Sequence, residues 1–144
     1  MSVCYLDTSA LAKRYLNEAR SDEVDAFLAE QSLLLVSTLT TVQMRRLLAR
    51  RRRGRELDAT LEAQVFATFR DDVRQGYMVE HELSRLMLEG ASNLIAEIPQ
   101  VPLRTLDALH LAAAQQLGAE RLVTADAVMR AAAGAVGLAV EFFG

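Results

Sequence analysis

Three aspartates stand where apolar stretches break off. Asp7 follows Cys4-Tyr5-Leu6, Asp126 follows Leu122-Val123-Thr124-Ala125, and Asp107 lies within Leu103 to His110, close to the start of a helical segment. An ionised carboxylate beside a core is costly unless it is hydrogen-bonded, paired or bound to a cation, and basic neighbours are few. Each aspartate alone also fits a helix N-terminus, where free N–H groups and the macrodipole favour an acid. All three with these flanks point to a cation. Oxygen ligands without a cysteine cluster suit a hard divalent ion, Mg2+ or Mn2+, not zinc. Thr8, Ser9 and Thr124 can orient those carboxylates or their waters, or can serve as plain helix and strand-end caps.

A second group lies in TLTTVQMRRLLARRRRGR, residues 38 to 55. Gln43 falls where a helix begins, and with Thr40 it fits the S/T-x-x-E/Q capping box. After it come Arg45, Arg46, Arg50, Arg51, Arg52, Arg53 and Arg55, 7 of the 16 basic side chains of a chain whose formal net charge is −3. The net charge by itself does not suggest a nucleic-acid partner, but the clustering does, because guanidiniums along one helix make a track for phosphates. A solvated helix face is the plainer use. Aromatic side chains that could stack bases are scarce nearby. His110, three residues after Asp107, can share its helix face, as a general base or as a packed core histidine.

The elements that must position these groups follow from periodicity. Val3 to Leu6, Leu33 to Val36, Tyr77 to Glu80, Arg121 to Thr124 and Leu138 to Phe142 read as strands. Helices are expected over Ala10 to Leu16, from Ser21, over Thr40 to about Arg53, Leu57 to about Arg74, Glu82 to Glu97, Arg104 to Leu117 and Asp126 to Ala133, with Gly54 and Gly118 as stops. The alternation predicts one α/β domain over residues 1–144: a mostly parallel central sheet of about five strands flanked by helices, with a helical arm near residues 40–75. In such sheets functional groups gather beyond the carboxyl ends of the strands, where Asp7 and Asp126 fall. At 144 residues and 51% apolar content the chain can bury a core without disulfides. A single cysteine, Cys4, excludes an internal disulfide framework and favours a reducing cytoplasm, and no stretch is long and apolar enough to span a bilayer.

The stretches CYLDTSALAKRYL, STLTTVQMRRLL, LRTLDALHLAAAQQLG and LVTADAVMRAAAGAVGLAVE, in this order and spacing, resemble the PIN-domain ribonucleases, in particular the VapC-type toxins of toxin–antitoxin pairs. The resemblance weakens between about residues 54 and 98. It implies a PIN-like fold and Mg2+- or Mn2+-dependent cleavage of RNA, with Asp7 and Asp107 as principal metal ligands and Asp126 as a direct or water-bridged one. It puts Gln43 in the place of the family's usual glutamate. A glutamine offers a carbonyl dipole where glutamate offers a full charge, so the expectation is a weakened nuclease; the alternative is a catalytically impaired module that binds RNA or antitoxin without turnover. The resemblance also implies an antitoxin partner, for which the arginines of the arm could serve as well as for RNA. It implies a homodimer too, using some of the apolar surface of Leu57 to Val73 and Leu83 to Ile95 that core packing otherwise explains. Two other classes that place an aspartate after the first strand fit less well. A haloacid-dehalogenase-type phosphatase wants a second aspartate where Ser9 stands, and a receiver domain wants an N-terminal acidic pair and a late lysine, whereas Lys13 is the only lysine.

Overall fold

The structure, a computed structural model, describes residues 2–144. Five short strands, β1 (Val3–Leu6), β2 (Leu33–Ser37), β3 (Val79–His81), β4 (Arg121–Thr124) and β5 (Ala139–Phe142), form one sheet in the order β3-β2-β1-β4-β5. Every neighbouring pair is parallel. Parallel neighbours require crossovers, supplied by seven helices: α1 (Thr8–Tyr15), α2 (Ser21–Ala29), α3 (Thr38–Arg53), α4 (Ala59–Arg74), α5 (Arg85–Glu97), α6 (Thr105–Gln116) and α7 (Ala127–Ala135). The chain builds outward from β1 through β2 to β3, then returns to place β4 on the other side of β1. The strand order therefore reverses between β1 and β4, and the carboxyl ends of these two strands open onto the crevice where ligands of such sheets bind.

Side-chain alternation along the strands divides the interior into two cores. Tyr5, Leu35 and Leu122 face α5, α6 and α7, burying Ala91, Leu94, Leu111 and Met129. Cys4, Leu6, Leu34, Val36 and Val123 face the other layer, with Leu11 of α1, Val24 and Leu28 of α2, Met44 and Leu48 of α3, and Val65 and Phe69 of α4. The arm expected over 40–75 is the α3–α4 pair. Its base is packed in this second core, and its tip, from Arg52 to Leu61, is exposed except at the half-buried Leu57. None of the described helices is long and apolar enough to cross a membrane.

Most boundaries shift by one to three residues from the sequence reading, α5 for instance opening at Arg85 where Glu82 was expected, and two of the shifts have consequences. Gly76, at φ +81, makes the turn after α4, so Tyr77 precedes the strand and stacks under the Arg14 guanidinium at 4.7 Å, and β3 starts at Val79. The second difference bears on the site. Strand β2 passes into α3 without a loop, and the helix begins at Thr38 with Ser37 as its N-cap. Thr40 Oγ1 accepts from the Ser37 N–H at 3.2 Å, so the capping box is Ser37 with Thr40. Gln43 sits in the second turn and caps nothing.

Candidate active site

Asp7, Thr8, Ser9, Gln43, Asp107, His110 and Asp126 line one open pocket of about 630 Å³ at the β1/β4 reversal, with Arg46, Arg50, Arg51 and Arg104 on its walls. The geometry places these groups around one opening. What the side chains do to one another was less visible.

Asp7 caps α1, with one carboxylate oxygen accepting from the Ala10 N–H at 3.1 Å and from Ser9 Oγ at 2.6 Å, while the other accepts from Thr124 Oγ1 at 2.5 Å. Ser9 and Thr124 thus hold the carboxylate in place. They are themselves tied to the start of the last helix, since Ser9 Oγ accepts from the Ala125 N–H and Thr124 Oγ1 from the Asp126 N–H. The group is 4% exposed and enters none of the ion pairs among the described residues. Burial pushes its pKa up to about 6, a rise the Asp126 charge reinforces and the hydrogen bonds from Ser9, Thr124 and Ala10 only partly oppose.

Asp126 caps α7, accepting from the Val128 and Met129 N–H groups at 2.7 and 3.3 Å. Its second oxygen meets Arg104 Nη2 at 3.4 Å, and Asp107, in the first turn of α6, meets Arg104 Nε at 3.2 Å. One guanidinium therefore bridges two of the three aspartates from a side chain that is 73% exposed. Sequence reasoning missed Arg104, although its place three residues before Asp107 on a helix start was a signal for the nearer pair.

Gln43 belongs to a different network. Its Oε1 accepts from Thr8 Oγ1 at 2.6 Å and lies in short contact with His110 Nε2. On the far side of the imidazole, His110 Nδ1 meets the Tyr5 hydroxyl at 2.7 Å, and that hydroxyl meets Ser37 Oγ at 3.0 Å. A continuous chain of polar groups runs from the end of β2, across the first core, to the pocket. His110 is 3% exposed, and burial lowers its pKa to about 4, while burial raises the Tyr5 phenol to about 12. Both are neutral near pH 7. The histidine is at once core and site, and Tyr5, in a strand that reads as plain core, gave no sign of its role.

The arginine run is sorted by the helical turn. Gln43, Arg46, Leu47 and Arg50 lie on one face of α3 and line the pocket, and neither Arg46 nor Arg50 has an acidic partner among the described residues. Arg51 also borders the pocket but is paired with Glu18 at 2.9 Å and Glu56 at 3.3 Å. Arg45 lies over the Phe66 ring at 3.6 Å and Arg52 pairs with Glu62, both bracing α3 against α4. Arg53 and Arg55 are exposed at the tip, outside the pocket.

Among the described residues no group of three or more His, Cys, Asp or Glu side chains converges closely enough to hold a metal ion unaided. The donor chemistry nonetheless fits a hard cation: the three carboxylates bring only oxygen, and the buried Asp7 lacks the compensating charge that such an ion would bring. Mg2+ is commonly held through one or two carboxylates with the remaining positions left to water.

The family model for the PIN domain matches residues 4–135. Ribonuclease VapC46 of Mycobacterium tuberculosis is 34% identical over 147 residues, covering 97% of each chain. Among solved structures, the sarcin–ricin-loop-cleaving toxin VapC20 of Mycobacterium tuberculosis superposes with a TM-score of 0.71 at 17% identity, over 90% of this chain and 94% of that one. A DNA-bound VapBC of Salmonella typhimurium superposes with a TM-score of 0.70 at 12% identity, over the whole of both chains.

Proposed function

The chain belongs to the PIN-domain family, and from that premise we propose that it is a divalent-metal-dependent endoribonuclease toxin of the VapC type, held in check by a cognate antitoxin. The observation that carries the reading is that Asp7, Asp107 and Asp126 all line one pocket at the sheet's reversal point, beside guanidiniums of Arg46 and Arg50 that have no acidic partner among the described residues. Asp7, Asp107 and Asp126 would hold Mg2+ or Mn2+, which when bound supplies positive charge to the phosphoryl oxygens and lowers the pKa of its water. Ser9 and Thr124 fix the Asp7 carboxylate so that its free lone pairs keep one direction. Arg46 and Arg50 bind the phosphates on either side of the scissile bond and steer the RNA along α3. Arg53 and Arg55, with the exposed arm tip, serve the antitoxin, and the family's homodimer extends to this chain.

Gln43 weakens the site in this reading. A full charge about 4 Å from a cation at an effective dielectric near 20 is worth roughly 4 kcal/mol gross, and glutamine does not supply it. The runner-up, a module that holds RNA without turnover, draws on the same residue. Cleavage of structured RNA by this chain and by Gln43→Glu, in Mg2+ and Mn2+, with EDTA and Asp7→Ala controls and any antitoxin removed, separates the two. Cleavage by the glutamate variant, abolished by chelation, supports a nuclease impaired at one position. Absence of cleavage in both, with metal bound, favours the holding module.

A further inference from the structure

The side chain of Gln43 has two different ends, and the protein has committed one of them. Its Oε1 is occupied by Thr8 Oγ1 at 2.6 Å and by His110 Nε2. Its Nε2 donates to no described residue, yet it is not among the buried polar atoms left without a partner, of which Arg14 Nε is the only one among the described residues. The amide nitrogen is therefore open to the pocket that Gln43 lines.

The direction of the polar chain explains why the amide is turned this way. A phenol is a stronger acid than a neutral imidazole N–H, so at 2.7 Å Tyr5 donates its hydroxyl proton to His110 Nδ1 and accepts from Ser37 Oγ. With Nδ1 an acceptor, the one ring proton of the neutral imidazole sits on Nε2 and points at Gln43. A donor there demands an acceptor opposite, which is the carbonyl oxygen. In this orientation the Thr8 hydroxyl donates to the same oxygen.

We propose that Gln43 acts in this chain as a hydrogen-bond donor to a non-bridging phosphate oxygen of bound RNA, its amide held carbonyl-inward by the positioning residues His110 and Tyr5. The proposal rests on the reading of the pocket as an RNA site and changes what the glutamine is for. A residue with its carbonyl doubly engaged has no lone pair directed at a cation, but two N–H bonds aimed into a pocket walled by Arg46, Arg50 and Arg104 add to an anion-binding surface. The substitution of acid by amide then exchanges a negative charge for a phosphate contact, and the site gains grip on RNA as it loses pull on metal.

The test begins on the unaltered protein. A two-dimensional ¹H–¹⁵N spectrum tuned to imidazole shows His110 as the Nε2–H tautomer if the chain runs as described, and Tyr5→Phe, which removes the donor to Nδ1, mixes in the Nδ1–H form. Finding the Nδ1–H tautomer in the unaltered protein overturns the proposal, because the amide would then be reversed. Affinity for a fluorescein-labelled single-stranded RNA is measured next, in EDTA to exclude cleavage. Gln43→Glu keeps the acceptor facing Thr8 and His110 but removes the donor and adds a negative charge, whereas Gln43→Leu removes donor and acceptor without changing the charge. Gln43→Leu is expected to bind about tenfold more weakly, the size of one hydrogen bond to a charged group, and Gln43→Glu more weakly still because of its charge; unchanged affinity in Gln43→Leu overturns the proposal. Arg46→Ala and Arg50→Ala complete the set. If they weaken binding while Gln43→Leu does not, the RNA site stands and the donor role falls. If they too leave binding unchanged, the pocket is not the RNA site and the nuclease reading falls with it.

Discussion

Replacing Asp7 by Asn should uncover a pH dependence of stability that the unaltered protein hides. Two buried groups titrate in opposite senses. Asp7 is raised from 3.8 to about 6, so the folded state binds its proton more tightly than the unfolded chain does. That contribution is fully present below pH 3.8 and is lost as pH rises through 6. His110 is lowered from 6.5 to about 4. Its contribution is fully present above pH 6.5 and is lost as pH falls through 4. At about 1.36 kcal/mol for each pH unit between folded and unfolded values, the two amount to about 3 kcal/mol each, with opposite signs over nearly the same window. On going from pH 7 to pH 4 without metal, the unaltered protein should gain from Asp7 about what it loses from His110. Asp7→Asn removes the gain and leaves the loss. Asparagine can still accept from Ser9 and Ala10, and Thr124 can turn its hydroxyl toward Ser9 Oγ, 3.3 Å away, so the fold should tolerate it. Urea denaturation of both proteins in EDTA from pH 4 to 7 gives the difference in unfolding free energy, from which acids common to the two cancel. The variant should be the more stable at pH 7 and lose about 3 kcal/mol of that advantage by pH 4. Parallel pH profiles would refute the assignment of a costly buried charge to Asp7.

Arg104→Ala frees Asp107 and Asp126 from their shared guanidinium and should raise Mn2+ affinity several-fold, to the modest degree expected of exposed ion pairs; calorimetric titration measures it, and equal or weaker binding would show that Arg104 does not compete with the cation. Arg46→Ala and Arg50→Ala should each lower the slope of log affinity for RNA against log salt concentration by about 1, whereas Arg45→Ala should leave that slope alone and destabilise the fold by about 0.5–1 kcal/mol through the lost contact with Phe66. Phe69→Ala, in the fully buried base of the arm, should cost about 3–5 kcal/mol in denaturant titrations, and a cost below 1 kcal/mol would mean that α4 is not part of the core.

How far the sequence led depended on whether a signal was local. The aspartates were found because each interrupts an apolar strand or opens a helix, and those interruptions lie at the reversal point once the strand order is known. Thr40 and Gln43 satisfied the capping pattern, whereas Ser37 makes the box with Thr40 in place of the usual glutamate or glutamine, and only the length of β2 decides which residue starts α3. Tyr5 and His110 are 105 positions apart, so nothing in either neighbourhood announces their bond. The arginine run was visible as a density of charge, but a helix turns about 100° per residue, and its seven guanidiniums were dealt to the pocket, to Phe66, to Glu62 and to solvent.

The absence of a loop between β2 and α3 makes that helix a lever. Its 16 residues form a rod about 24 Å long at 1.5 Å per residue, anchored at Ser37 in the sheet, carrying Gln43 about 8 Å along and the arginine-rich tip at its free end. A tilt of about 5° about the anchor carries the tip about 2 Å and Gln43 about 0.7 Å, which is enough to lengthen or shorten a hydrogen bond from Thr8. Whatever holds the tip thus holds the same helix that carries Gln43 to the pocket.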